Sequence, residues 1–532
     1  MAAETTVKSE IVLIGARRFL FLILTVALTI ITALFAFSWL VACIRSDDKI
    51  LALAGTAIVG LAIANPIARW LLLPRMRRPI MRSPREGLRV AVVTTYVPES
   101  ESLDMLEATL RAMKRMDYPH DCWMLDEGDR EEAIDLCRRL GVSHFSRKGR
   151  PAYQAKSGTF QSRSKHGNYN AWLVEIGFHE YDVVAAFDPD HIPAAAFLTE
   201  TLGYFDDESV GYVQAAQAYY NQKASFIAAG AAEETYDYYS TLQMAGYGMG
   251  FPIVIGSHNV HRVTALREVG GFAPHDADDL LITLFYREKR WTGVYVPAIL
   301  ARGLVPVDWQ GYLTQQRRWA RSVLDIKFRL QPSLAKRLPK ASKVASYLHG
   351  LSYLQPAIML LLTIAFVLKL LIRGDIPTSF ADLNVASAAA MGALLIACLF
   401  FRQNFFLDPK REWGFHWRAR LLRVAKAPFL LLALADVVSA RRFEYVMTPK
   451  TRQPKRRNLL LVPFGLIASL VVTAWMFGMA WQPSYNPVLS VLVGTLLTFC
   501  GGLIGSAYIS TPEPFDRRLA SGMIEGRDGQ VL

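Results

Sequence analysis

Tyr181–His191 reads YDVVAAFDPDH, and the fold follows from how those eleven residues are read. The Val-Val-Ala-Ala-Phe run carries no helical stripe. It suits a strand, Asp182 to Phe187, in the middle of a sheet covered on both faces. Asp188, Pro189 and Asp190 then stand at the strand's C-terminal end, where open α/β sheets place their chemistry. Two carboxylates one residue apart repel each other unless a cation lies beside them. Hard oxygen donors at such a position suit Mg²⁺ or Mn²⁺, commonly shared with a diphosphate. The plain alternative is a strand-ending turn, since Asp-Pro-Asp is ordinary turn chemistry.

Working outward, a mixed polar region surrounds this strand, and long apolar runs lie at both ends of the chain. Of the 532 residues, 52% are hydrophobic, and the mean hydropathy is +0.21. That is too apolar for a purely soluble protein, so one α/β domain is expected between two membrane sections. The net charge of +13 does not point to nucleic acid. Much of it lies beside apolar spans, in RMRRPIMR (Arg75–Arg82) and TPKTRQPKRR (Thr448–Arg457), as orienting juxtamembrane cations do. The five cysteines form no CxxC pair, and neither disulfides nor a zinc site is expected.

Four sections result. Residues 1–82 hold two spans, near 19–44 and 50–73. Residues 83–336 form the α/β domain. Residues 337–509 hold four more spans, near 344–372, 385–401, 459–481 and 488–508, with 421–438 as an interfacial helix because of Pro428 and its basic flanks. Residues 510–532 are a tail. The charge bias puts the α/β domain and both termini in the cytoplasm. Within the domain, RVAVVTT (Arg89–Thr95) and 122–125 read as strands, and 103–116 and the stretch ending near Leu140 as helices. That is the alternation of a doubly wound, mostly parallel sheet.

Three further stretches carry chemistry. Lys165, Gly167 and Asn168 fall just before an expected helix over 169–176, and a lysine with backbone amides there could cradle phosphate; a solvated basic loop is the ordinary alternative. Asp276, Asp278 and Asp279 cluster at a helix start, as N-caps or as a general base. Arg317, Arg318 and Arg321 surround Trp319, either on the polar face of an interfacial helix or as anion-holding cations.

Taken in order, Asp126 (LDEG), Asp188-Pro-Asp190, Asp279 (ADD) and Gln315-Gln-Arg-Arg-Trp319 resemble the D, DxD, TED, QxxRW signature of processive family-2 glycosyltransferases, the cellulose, chitin and hyaluronan synthases and their relatives. KHGNYN (Lys165–Asn170) is similar to that family's KAGNLN element, and YVMTPK (Tyr445–Lys450) resembles the FxVTPK gating loop of β-glucan synthases. The resemblance covers about residues 19–508. It implies a GT-A-like domain joined to a helical transmembrane channel, a UDP-sugar donor, a growing polysaccharide acceptor and a divalent cofactor. Thr95, Tyr96 and Glu99 would line the uridine pocket with Asp126 nearby. Lys165 would contact the diphosphate, Asp188 would help hold the nucleotide sugar, and Asp190 would coordinate Mg²⁺ or Mn²⁺. Asp279 would take the acceptor's proton and Arg318 would neutralise the departing diphosphate, with Gln315 positioning that segment. Trp319 would stack under the acceptor sugar, and Thr448 and Lys450 would close over the nucleotide.

The chain departs from the pattern with Asp126-Glu127 for Asp-Asp, Ala-Asp-Asp for Thr-Glu-Asp, and Ile255 where cellulose synthases often carry cysteine. The gating-loop resemblance implies UDP-glucose and a β-linked glucan. UDP-N-acetylglucosamine, a non-processive transfer to a lipid carrier and an inactive export subunit are the alternatives. The expected home is a bacterial inner membrane, with the lipid bilayer and periplasmic or regulatory subunits as partners and no nucleic acid. The tail is too short for a cyclic-dinucleotide-binding barrel, so control of that kind is expected to act through a partner.

Overall fold

A computed structural model describes residues 7–377, 385–440 and 458–524. Thr448 and Lys450, with the rest of the expected gating loop, lie outside the described residues.

The chain opens with two apolar helices, α1 (Gly15–Arg45) and α2 (Lys49–Leu72). The α/β domain follows. Its sheet has eight strands: β1 (Val90–Tyr96), β2 (Asp121–Asp126), β3 (Ser143–Ser146), β4 (Val183–Phe187), β5 (Ile192–Pro193), β6 (Val210–Tyr219), β7 (Asn259–Arg262) and β8 (Thr292–Gly303). The spatial order is β3-β2-β1-β4-β7-β6-β8-β5. The pairs β1·β2, β2·β3, β1·β4 and β6·β8 are parallel, whereas β4·β7, β6·β7 and β5·β8 are antiparallel. The sheet is thus mixed, with β7 running against both neighbours. This reversal matters for the site. A strand antiparallel to β4 begins where β4 ends, so its leading loop, Gly256–His258, is delivered to Asp188, whose backbone N–H donates to Ser257 Oγ at 3.0 Å.

β4 itself is buried throughout, as its composition requires. Val183, Ala185 and Phe187 enter one core and Val184 and Ala186 the other, the period-2 alternation of a strand covered on both faces. Helices α3 (Leu103–Met113), α4 (Glu131–Leu140), α5 (Lys165–Trp172), α6 (Phe226–Asp237), α7 (Asp278–Glu288) and α8 (Trp309–Asp325) complete the domain. α5 starts four residues before the expected Tyr169. Ser164 caps it by accepting from Gly167 N at 3.1 Å, so Lys165, Gly167 and Asn168 lie inside the first turn and not ahead of it.

Beyond the domain come α9 (Leu354–Arg373), α10 (Val385–Gln403), α11 (Trp417–Val438), α12 (Leu461–Trp481), α13 (Pro487–Ser506) and a short α14 (Arg517–Ile524). Among the described residues, six helices are long and apolar enough to cross a membrane: α1, α2, α9, α10, α12 and α13. The span expected from Val344 begins later, at α9. Lys340–Leu348 is a separate helix, cut off at Gly350, whose φ of +82° is a left-handed conformation that glycine adopts without strain. α11 is not one of the six. It packs against α6 and α8, burying Leu422, Ala425, Leu430 and Ala433.

Candidate active site

The C-terminal ends of β1, β2 and β4 lie side by side, and the sequence's acidic residues cap them. At β4, the His191 N–H donates to the Asp188 carbonyl at 3.1 Å, so Asp-Pro-Asp does form a turn. Thr109 on α3 holds that turn by donating to the Pro189 carbonyl at 2.7 Å. The turn reading and the ligand reading are therefore compatible. Asp190 is 1% exposed, and its Oδ1 lies 2.9 Å from His191 Nδ1. Carboxylate and ring donors of Asp188, Asp190 and His191 all fall within 4.8 Å of one another. A hard-oxygen set of two carboxylates at that spacing fits a divalent ion.

Lys165 binds this cluster from the start of α5. Its Nζ lies 2.5 Å from Asp188 Oδ1 and also donates to the Gly256 carbonyl. Burial is the largest single influence and disfavours the ammonium, but Asp188, Tyr169 and Asp278 together outweigh it, so Lys165 is held above the usual lysine range and stays charged. A Cβ on Gly256 would lie 3.8 Å from Asp279 Oδ2 and 3.9 Å from Lys165 Nζ. Four elements, the β4 end, the start of α5, the β7 leading loop and the start of α7, thus bring Asp188, Lys165, Gly256 and Asp279 to one small space.

Asp279 sits in the first turn of α7 with Asp278, where its Oδ1 accepts from Leu280 N at 2.7 Å. Burial first, and the Asp278 carboxylate second, push its carboxyl up to about 7. A group that titrates there can both take and hold a proton near neutral pH. Asp276, the third member of the cluster, pairs with Arg321 at 2.6 Å. That contact ties the approach to α7 onto α8.

At the neighbouring β2 end, Asp126 is fully buried. Oδ1 accepts from Gly128 N at 2.7 Å and Oδ2 lies 3.3 Å from His144 Nε2. Tyr96 pairs in register with Asp126, and its carbonyl accepts from Glu127 N at 3.0 Å. Thr95 precedes it in the same buried strand, while Glu99 lies outside and pairs with Arg130 at 3.0 Å. Glu127, the departure from the expected second aspartate, bonds Arg147 at 2.5 Å, and the Arg147 side chain is fully buried.

On α8, Gln315, Arg318 and Trp319 fall at i, i+3 and i+4, on one face of the helix. Trp319 is 37% exposed. Arg317 is structural: it pairs with Asp436 on α11 at 2.6 Å. Gln316 accepts from Lys426 of α11 at 2.9 Å.

The sequence reading does not single out His191, Ser257, His258 or Gln217. His191 is visible there only as the residue after Asp190. His258 carries no signal of its own. It lies in the left-handed region at φ +56°, its ring sits 4.4 Å from that of His191, and neither of its ring nitrogens has a partner among the described residues.

With the geometry in place, comparison with known proteins is informative. Residues 183–402 match the model described as glycosyl transferase family group 2. The cellulose synthase catalytic subunit [UDP-forming] of Xanthomonas axonopodis pv. citri is 27% identical over 289 residues, 53% of this chain and 38% of that protein. The cellulose synthase 1 catalytic subunit [UDP-forming] of Komagataeibacter xylinus is 25% identical over 428 residues, 77% of this chain and 54% of that protein. The chain thus spans about half or less of these relatives. Among solved structures, the mannosyltransferase PcManGT from Pyrobaculum calidifontis, in complex with GDP-Man and Mn²⁺, superposes with a TM-score of 0.50 at 17% identity, covering 74% of this chain and 99% of that one. That likeness is one of fold alone.

Proposed function

We propose that this chain, a cellulose-synthase-like family-2 glycosyltransferase, is a processive inverting enzyme that extends a β-linked glucan from UDP-glucose and passes the product through its own helical section. The observation that carries the proposal is the convergence of Asp279 with Lys165 and Asp188 around Gly256. It sets a base beside the groups that would hold a sugar diphosphate.

The chemistry follows from the side chains. Asp279, poised at about 7, accepts the proton of the acceptor hydroxyl as that oxygen attacks the anomeric carbon. One displacement from the face opposite the leaving group turns an α-linked donor into a β-linked product. The leaving diphosphate is multiply anionic, so cations aimed at it act mainly as its charge develops. Lys165 has the charge and position for this, exchanging Asp188 for phosphate oxygens when donor binds, and Arg318 on α8 would add a second cation. A divalent ion, held by Asp190 and Asp188, would supply further electrostatic stabilisation of the diphosphate. Mg²⁺ and Mn²⁺ both suit that donor set. Thr95, Tyr96, Glu99 and Asp126 would receive the uridine, and Trp319 would stack under the acceptor sugar, with Gln315 one turn before it. Thr448 and Lys450 would close over the nucleotide.

Polar side chains on the apolar helices support a polymer path. Asn65 on α2 donates to Gln355 on α9 at 2.9 Å. Arg69, one turn along α2, donates to Asn65 at 2.9 Å and pairs with Asp237. Such groups in membrane spans mark a polar interior and not a lipid face. The proposed arrangement keeps the catalytic domain, residues 83–336, and both termini on the cytoplasmic side of a bacterial inner membrane, between membrane sections at 1–82 and 337–509.

The test is product analysis. Purified protein in lipid is given UDP-glucose and, separately, UDP-N-acetylglucosamine, with Mg²⁺ or Mn²⁺. UDP release is followed and the product is digested with linkage-specific glycosidases. UDP release with a β-glucan from UDP-glucose is expected. Polymer only from the acetylated donor overturns the glucan assignment, and no transfer from either donor overturns the enzyme.

A further inference from the structure

Behind the acidic turn runs a hydrogen-bonded chain that none of the roles above uses. Tyr239, in the turn that follows α6, donates its hydroxyl to Gln217 Oε1 at 3.0 Å. The Gln217 amide nitrogen, on β6, lies 3.1 Å from His191 Nε2. His191 Nδ1 lies 2.9 Å from Asp190 Oδ1. The direction of each bond follows from its ends. A carboxylate only accepts, so Nδ1 carries the proton facing Asp190. With its proton on Nδ1, the ring's Nε2 accepts, so the Gln217 NH₂ faces it and Oε1 is left to accept from the Tyr239 hydroxyl. Both ring nitrogens are thereby committed to protein partners. The ring is also fixed sterically, because a Cβ on Gly303 would lie 2.2 Å from Nε2, and the His258 ring abuts it at 70° on another side.

We infer that Gln217, held by Tyr239, is a positioning residue that sets the tautomer and tilt of His191 and through them the orientation of Asp190 for cation binding. His191 in this arrangement orients a ligand and does not serve as one. Partners of this kind behind a ligand commonly change metal affinity by about 10- to 100-fold when removed. Gln217 has no route to the sugar or diphosphate in the chain of bonds above, so its loss weakens the cation and not the chemistry. The inference rests on the reading of Asp190 as a cation ligand.

The experiment uses the full chain in lipid nanodiscs. Mn²⁺ binding is measured from the paramagnetic resonance of the free ion, and UDP release is measured against Mn²⁺ concentration, with melting temperature recorded alongside. For Gln217→Leu we expect Mn²⁺ affinity about tenfold weaker or worse, with kcat recovered to within about twofold at saturating Mn²⁺. For Tyr239→Phe, which removes one hydroxyl and stays foldable, about a threefold weakening is expected. A purely structural role would lower the melting temperature and leave Mn²⁺ affinity in place, and that result, or a kcat loss that no Mn²⁺ concentration restores, overturns the inference. If Gln217→Leu does not fold, unchanged Mn²⁺ affinity in Tyr239→Phe overturns it. Wild-type protein that binds no Mn²⁺ fails the reading of Asp190 itself and takes this inference with it, which separates the two failures.

Discussion

Two strand ends in this molecule carry the same ingredients and use them differently. At β2, Asp126 sits beside His144, and at β4, Asp190 sits beside His191. Around Asp126 the partners are fixtures: a backbone N–H of its own turn, a histidine, and next to it Glu127 locked to a buried Arg147. Around Asp188 and Asp190 the key partner is Lys165, a single long side chain that bridges Asp188 and a carbonyl and faces Asp279 across Gly256. Carboxylates held by fixed donors make a wall. A carboxylate paired to a cation that can swing to another anion makes a site where charge can be exchanged. We propose recognition at the β2 end and chemistry at the β4 end, and each part of that proposal can be broken.

The largest effect belongs to the reactive end. Asp279→Asn keeps the size and the Leu280 hydrogen bond but cannot take a proton. Transfer is expected to fall by about 10²- to 10⁴-fold while UDP binding persists. Calorimetry with UDP and a radiolabel transfer assay read the two halves; loss of nucleotide binding would move Asp279 from the acceptor to the donor side.

At the wall, Arg147→Met should act on stability. It leaves the partly buried Glu127 without its cation, a change that costs up to about 3 kcal/mol, so the α/β domain's melting transition should drop by several degrees. Arg147 also donates to the carbonyls of Gln161 and Ser164, at 2.9 and 3.2 Å, which hold the loop before Lys165. An unchanged melting curve would show that the β2 end is as adjustable as the β4 end. A smaller effect is expected of Trp319→Ala. Loss of one aromatic face should weaken acceptor binding by up to about tenfold and shorten the product, with little change in donor KM. Product of full length would remove Trp319 from the acceptor path.

How much of this was legible follows the physics of each contact. β4 was readable because five consecutive apolar residues without a helical period admit few alternatives, and the aspartates after it fell where a strand's C-terminal end must be. The start of α5 was misplaced because Ser164, a strong cap, lies in a run of polar residues with no periodic signal. The mixed sheet was not legible. Nothing in Asn259–Arg262 states its direction, which is set by tertiary pairing with β4 and β6. The same reversal brings Ser257 and His258 to the site; the sequence marked them only as part of GSHNVHR (Gly256–Arg262), a stretch resembling the family's segment before the base, with no role for either residue. Of the three arginines around Trp319, the sequence could not say which were structural, because Asp436 and Asp276 lie 119 and 45 residues away.

The smallest expected effect turns the comparison into a matter of pH. The Asp279 carboxyl sits near 7 in the folded protein, well above the ordinary aspartate value of 3.8. A carboxyl raised on folding binds its proton more tightly in the native state than in the unfolded one. Its contribution to stability is therefore greatest in acid and is lost as pH rises from about 4 to about 7. Above pH 7 the wild-type protein carries a buried charge beside Asp278, which the neutral amide introduced by Asp279→Asn would lack. The variant should then melt a few degrees above wild type at pH 8, and the difference should shrink toward pH 5. The expected fall in activity and gain in alkaline stability come from one group and have one cause, the strained ionisation of a base held ready for a proton. If the variant were less stable than wild type at pH 8, the Asp279 charge would be one the fold welcomes, and the β4 end would be a second wall.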